Sequence, residues 1–223
     1  MLKKIIVAFC FVTIAMGLVA CSAASGNSKM DSVVPSSLEK IPLTINSKVS
    51  IVSGDTLYNP KTLKEVEGLA EYIVKGRLLN DAKQKLYRNG SAPVIFGVTV
   101  SSFEISKVFK GDLKEGDKIP IAERYYTLEE NGETTRYELD YAPSEPDKEY
   151  IFFLIKEKDK RNDFLYGFFT PSVKETGRYP VITPKDSDFS RVGLMSADEL
   201  NLVKTEPDTY QEIYEQVIKK YMK

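Results

Sequence analysis

The chain has 223 residues, with 31 basic and 32 acidic side chains, two cysteines and no histidine. That length allows one sizeable core. A net charge of −1 argues against nucleic acid, which selects basic surfaces, and the lack of histidine removes the commonest transition-metal ligand and the commonest general base.

Met1-Leu2-Lys3-Lys4 is followed by an uncharged run from Ile5 to Ala20. A short basic stretch ahead of an apolar run is the layout of a secretory signal. The run is shorter than the about 20 apolar residues that cross a bilayer. It ends Leu18-Val19-Ala20-Cys21. This ending resembles the bacterial lipobox, and the resemblance implies cleavage between Ala20 and Cys21 with diacylglycerol on the Cys21 sulfur. Two or three acyl chains anchor a protein stably where one does not. Cleavage would also remove Cys10, so the exported chain is expected to hold itself together by burial, without a disulfide.

Residues 22–40 are rich in Ser, Ala, Gly and Asn and read as a flexible tether, with a reach of roughly 25 Å. The expected organisation is a signal over 1–20, a lipidated cysteine and tether over 21–50, a barrel domain over 51–190 and a helical segment over 191–223. "IPLTINSKVSIV" (41–52) can supply a strand. "NPKTLKEVEGLAEY" (59–72) predicts a helix capped by Thr62, with Glu65 at the box position. "EYIVKGRLL" (71–79) then changes to a strand period.

"PVIFGVTVSSFEISKVF" (93–109) reads as a long strand. Val94, Phe96, Val98 and Val100 share one face, and the apolar set then slips by one to Phe103 and Ile105. The slip predicts a bulge at Ser101-Ser102. "KIPIAERYYTLEENGETTRYELDY" (118–141) predicts two strands around an Asn131-Gly132 turn. "EYIFFLIKE" (149–157) is apolar from Ile151 to Ile155, so both faces are expected to be covered. "FLYGFFTPS" (164–172) and "GRYPVI" (177–182) predict two more strands. "SADELNLV" (196–203) predicts a short helix. "EPDTYQEIYEQVIKKYMK" (206–223) predicts the clearest helix, capped by Asp208 or Thr209. Its stripe runs Tyr210, Ile213, Tyr214, Val217, Ile218 and Tyr221, and the second face of the 151–155 strand is the expected partner.

"EYIVKGRLL", "FEISKVFKGDLKEGDKI", "DKEYIFFLIKE" and "GRYPVI" resemble the pattern of a group of Gram-positive lipoproteins and surface proteins of unknown function. They are also similar to the barrel of the tissue inhibitors of metalloproteinases and the netrin module. The late motif departs where Asp147-Lys148 replaces a glycine. The resemblance implies a five-stranded, partly open OB-like barrel; with the helices read from the sequence, the chain is expected to be mostly β, with an N-terminal helix and a C-terminal amphipathic helix packed on the barrel. It carries over no catalytic residue and no cofactor. The inhibitors grip a protease zinc through a free N-terminal cysteine; Cys21 would be lipidated and lies far upstream of the first barrel strand.

Serine or cysteine triads are impossible without histidine or an exported thiol. Glu129-Glu130 and Asp186-x-Asp188 read as solvated surface, and no metal site is expected. Lys110-Gly111-Asp112 reads as a turn. The candidate ligand face is the hairpin, with Arg124, Tyr126, Arg136 and Tyr137, because OB barrels bind extended ligands on their middle strands. The expected function is a non-enzymatic, lipid-anchored binding module on the outer face of the cell membrane. Its partner would be an envelope protein, a peptide or a wall glycan. The alternatives are an envelope hydrolase with paired carboxylates, discriminated by a cleft that holds them, and a solute-binding lipoprotein.

Overall fold

The structure is a computed structural model that describes residues 38–42, 47–52, 58–89, 92–181, 202 and 205–222. Ala20, Cys21, the Asp186-x-Asp188 pair and the helix expected over 196–203, apart from Leu202, lie outside the described residues.

In chain order the elements are β1 (Glu39–Lys40), β2 (Ser47–Ile51), α1 (Leu63–Leu69), β3 (Tyr72–Leu78), β4 (Lys83–Arg88), β5 (Val94–Lys110), β6 (Lys118–Glu123), β7 (Tyr125–Glu130), β8 (Glu133–Glu138), β9 (Glu149–Lys156), β10 (Phe169–Pro171), a 3-10 turn (Lys174–Gly177), β11 (Arg178–Pro180) and α2 (Pro207–Tyr221). The segment expected to be a tether through residue 50 contributes two strands. β1 pairs with β4, and β2 runs parallel to β8. The ion pairs Glu39–Arg88 and Lys48–Glu133 lie beside these pairings, so the folded part begins before residue 51.

β3, β5, β6, β10 and β9 close a ring. Its junctions are antiparallel except β6 to β10, where Ile121 lies opposite Phe169 in a parallel pair. Numbered along the chain, the ring order is 1-2-3-5-4, a Greek-key closure and the OB-like barrel expected. Val74, Phe103, Ile105, Ile121, Phe152, Leu154 and Phe169 fill its interior. At Gly76 a Cβ would lie 2.2 Å from the Glu104 carbonyl oxygen and 2.7 Å from the Phe103 ring, so the strands meet here only because the side chain is missing.

β5 is 17 residues long. No register shift occurs at Ser101-Ser102, where β5 pairs regularly with β6, Ser101 opposite Ile121 and Ser102 opposite Pro120. The irregularities fall instead at Ile95, Ser106 and Phe109. The slip in apolar pattern has a different cause. Phe96, Val98 and Val100 pack outside the ring with Ala122, Phe164 and Phe168, whereas Phe103 and Ile105 fill the ring. Over its regular stretch from Phe96 to Ile105, the strand buries its first half on one face and its second half on the other.

The expected hairpin has three strands. The chain turns at Arg124, so β6 stays in the barrel while β7 and β8 join β2 in a separate sheet. Asn131 and Gly132 both take positive φ, 54° and 77°, as the tight turn between β7 and β8 requires. Of the segment expected as a strand over 164–172, Phe169–Pro171 is extended and the preceding residues form turns. At the departure from the family pattern, Asp147 adopts φ 63°, the left-handed conformation that glycine takes freely.

α1 is capped as expected. Thr62 Oγ1 accepts from the Glu65 N–H at 3.3 Å, and the Glu65 carboxylate accepts from the Thr62 N–H. Lys110 Nζ donates to the Ala70 and Glu67 carbonyls at 2.6 and 2.9 Å, so the lysine of Lys110-Gly111-Asp112 ties the helix end to β5. Gly111 has φ 100°, and a Cβ there would lie 2.4 Å from the Tyr72 ring. α2 starts at Glu206 with Pro207 in its first turn and no side-chain cap, rather than at Asp208 or Thr209; proline at that position is already set for helix. Its whole predicted stripe is buried against Ile151, Phe153, Ile73 and Tyr179. α2 is the cover that the apolar run of β9 requires.

Candidate functional site

A cleft of about 490 Å3 opens on the outer face of β5 and β6. Phe96, Gly97 and Val98 of β5 and Ala122 of β6 form one side. Phe164 and Leu165, from the turns between β9 and β10, form the roof. Thr170 to Lys174 form the far wall, and Ile155, Leu69 and Tyr58 lie at one end. In ring order, β5 and β6 are strands two and three, and residues 157–168 join strands four and five. OB barrels hold extended ligands on that face and between those loops.

Aromatic contacts fix the roof. Phe164 meets Phe96 edge-on at 4.7 Å, and Tyr87 stacks on Phe96 at 4.8 Å. Lys85 Nζ lies 5.3 Å from the Phe164 centroid and 5.8 Å from that of Phe168, and donates to the Asp163 carbonyl at 3.0 Å. Burial against these rings pulls the Lys85 amine below its ordinary range, with Asp163 opposing.

The lining is mostly apolar. Among the described residues it contains no carboxylate and no side-chain amide, and its charged members are Arg124 and Lys174. Lys174 Nζ donates to Asp140 Oδ2 at 2.9 Å, a pair largely removed from solvent. Arg124 is exposed, and its guanidinium has no ion pair among the described residues. Ser172 Oγ is buried with no hydrogen-bond partner among the described residues.

Behind the cleft, next to Ala122 in sequence, Glu123 lies fully buried. Its Oε1 accepts from Tyr141 Oη at 2.6 Å and from the Ser144 N–H at 3.3 Å. Arg178, also buried, donates to the Ala142 carbonyl at 2.7 Å and to Ser144 Oγ at 3.2 Å, and lies over the Tyr141 ring at 5.0 Å. Burial pushes the Glu123 carboxyl up from its ordinary value, against the nearby Arg178 charge and the Ser144 and Tyr141 hydrogen bonds. This polar cluster holds the 139–148 connection onto the barrel, and none of its carboxylates enters the cleft lining. Among the described residues, no three of His, Cys, Asp and Glu come together to hold a metal ion.

The four residues expected on the hairpin are not one surface. Arg124 leaves the hairpin and lines the cleft. Tyr126 is 5% exposed; it stacks on Tyr137 at 5.1 Å and packs where Gly97 leaves room, since a Cβ on Gly97 would lie 2.8 Å from the Tyr126 ring. Arg136 is held by Glu138 Oε1 at 2.7 and 2.8 Å. Tyr126 thus packs within the fold, while Arg136 and Tyr137 are half-buried on the small sheet. The sequence does not mark Phe96, Phe164 and Leu165 as cleft residues, although apolar residues beside the polar turn at 158–163 are a trace of the roof. No protein-family model, curated protein or solved structure matches the chain.

Proposed function

We propose that this chain is a lipid-anchored binding module on the outer face of the cell membrane, tethered through Cys21, which uses the cleft on β5 and β6 to hold a segment of a cell-envelope partner. The observation that carries the reading is the cleft itself. It lies where an OB barrel receives extended ligands, and its volume falls in the ordinary range for binding sites, about 300–1,000 Å3. Its lining also favours binding over hydrolysis with paired carboxylates. Such a reaction needs two carboxyl groups about 5–9.5 Å apart across the substrate, and the described residues of the cleft contribute none.

The test uses the full chain extracted from membranes and the variant Thr170→Trp. Thr170 lies on the outward side of β10, opposite Ile155, and a tryptophan there fills the cleft. In affinity capture from solubilised envelopes, the partner bound by the wild type is lost with Thr170→Trp. The N-terminal peptide of the same preparation begins at Cys21 and carries the lipid mass. Retention of every captured partner by Thr170→Trp places binding elsewhere, and recovery of an unmodified soluble chain removes the anchor.

A further inference from the structure

The lining chemistry narrows what the cleft accepts. Its walls are apolar and aromatic, and Arg124 is a cation without an ion pair among the described residues. The other lining cation is held by Asp140, and the Tyr141 hydroxyl is held by Glu123. A cationic ligand would meet no carboxylate among the described lining residues. A neutral glycan presents many hydroxyls, and those buried here would find few partners among described walls that are mostly apolar and offer no amide or carboxylate. An acyl chain would suit the walls. It would leave the Arg124 guanidinium without a counter-charge. An extended peptide meets both demands, because its side chains can supply apolar groups to the walls and a carboxylate to the cation.

We propose that the cleft takes an extended, acidic peptide segment of a partner protein, with apolar side chains against the Phe96–Phe164 wall and a carboxylate on Arg124. The inference rests on the reading of the cleft as the binding site. Arginine suits the role because its planar guanidinium accepts a carboxylate through two parallel hydrogen bonds. In a partly apolar cleft that pair is worth more than on an open surface. The charge supplies selectivity, and the aromatic walls supply most of the contact area.

The test measures fluorescence anisotropy of end-capped octapeptides with a neutral dye, using the full chain in neutral detergent micelles. One octapeptide alternates phenylalanine with aspartate; two counterparts carry asparagine or lysine in place of aspartate. The aspartate peptide is expected to bind about tenfold tighter than the asparagine peptide, and the lysine peptide weaker than either. Raising the salt from about 0.05 M to about 0.5 M narrows the difference. Arg124→Gln abolishes the preference for aspartate while leaving affinity for the asparagine peptide within about twofold. Thr170→Trp abolishes all binding. Equal affinity for the three peptides, lost with Thr170→Trp and unchanged by Arg124→Gln, overturns the acidic preference and keeps the cleft as the site. Peptide binding that survives Thr170→Trp, or no peptide binding at all, overturns both. Saturable binding of chitotetraose or of phosphatidylglycerol vesicles in place of peptide assigns the cleft to a glycan or a lipid and overturns the proposal.

Discussion

The outer wall of this barrel has two apolar faces that meet opposite fates. On one, Ile151 and Phe153 of β9 are covered by α1 and α2 and are fully buried. The cover uses its polar atoms within the fold. Tyr210 Oη donates to the Arg178 carbonyl and Tyr214 Oη to the Pro180 carbonyl. Tyr221 Oη and Lys220 Nζ both reach Glu67 of α1 at 2.7 Å. On the other face, Val98 and Ala122 are buried with Phe164 and Phe168, while Phe96 is half-buried and a cleft stays open beside them among the described residues. There Arg124 has no ion pair among the described residues, and Tyr58, Leu69 and Ile155 remain 48%, 42% and 38% exposed. Similar apolar content serves packing where the chain supplies its own cover, and remains available to a ligand where it does not.

The largest test of that contrast is Ile151→Ala. Ile151 is completely buried beneath the helices, and truncation leaves a cavity in a packed region. A loss of about 2–5 kcal/mol is expected, the usual scale for isoleucine to alanine in a core. Denaturant unfolding measures it, and affinity per folded molecule is expected to stay within about twofold, because Ile151 does not line the cleft. A loss below about 1 kcal/mol would mean that the helices do not seal this face.

Glu123→Gln gives a smaller and pH-dependent effect. Glu123 adjoins a cleft residue in sequence but belongs to the buried cluster behind it. Burial raises its carboxyl above the ordinary 4.5. A raised value in the folded state means that its stabilising contribution is complete below about pH 4.5 and is lost as pH rises through the folded value. Glutamine keeps an acceptor for Tyr141 and Ser144 without a charge to desolvate. The variant is therefore expected to gain stability relative to wild type as pH rises from about 4.5 to 8, by on the order of 1 kcal/mol. Thermal melts across that range measure the difference, with peptide affinity unchanged. A difference that does not vary with pH would show that the Glu123 carboxyl titrates alike in the folded and unfolded chain, and altered affinity would make it part of the site.

Much of the fold is legible in the sequence because its signals are local. The α2 stripe repeats at helical spacing, the β9 run is apolar throughout, and Thr62 with Glu65 forms a capping box within four residues. The errors arise where one pattern has two physical solutions. An apolar set that slips by one residue is satisfied by a bulge or by separate cores on the two sides of a regular strand, and β5 takes the second. The break at Arg124 depends on β6 pairing with β10, a parallel junction between segments about 50 residues apart in sequence. The cleft inherits this non-locality. Its walls come from β5, β6, β10 and the turns at 164–165, so Arg124 is recognisable as a charged residue and not as its rim. Tyr126 misleads for a related reason: the glycine that admits its ring lies on another strand.

The smallest expected effect on stability comes from the same substitution made further along β9. Ile155 is on the outward side of the strand, like Ile151 and Phe153, but lies past the helical cover and at the end of the cleft. At 38% exposure its side chain is already partly hydrated. Ile155→Ala removes fewer buried methylene equivalents and leaves a dent open to solvent rather than a sealed cavity, so a loss of about 1 kcal/mol or less is expected. Binding responds in the opposite order. Ile155 gives apolar area to a ligand in the cleft, and its truncation is expected to weaken the aspartate and asparagine peptides alike by about three- to tenfold. Ile151→Ala and Ile155→Ala thus exchange ranks between unfolding and binding if the two faces differ as described. A larger stability loss at Ile155 than at Ile151, or unchanged peptide affinity in Ile155→Ala, would remove the distinction between a sealed face and a receiving one.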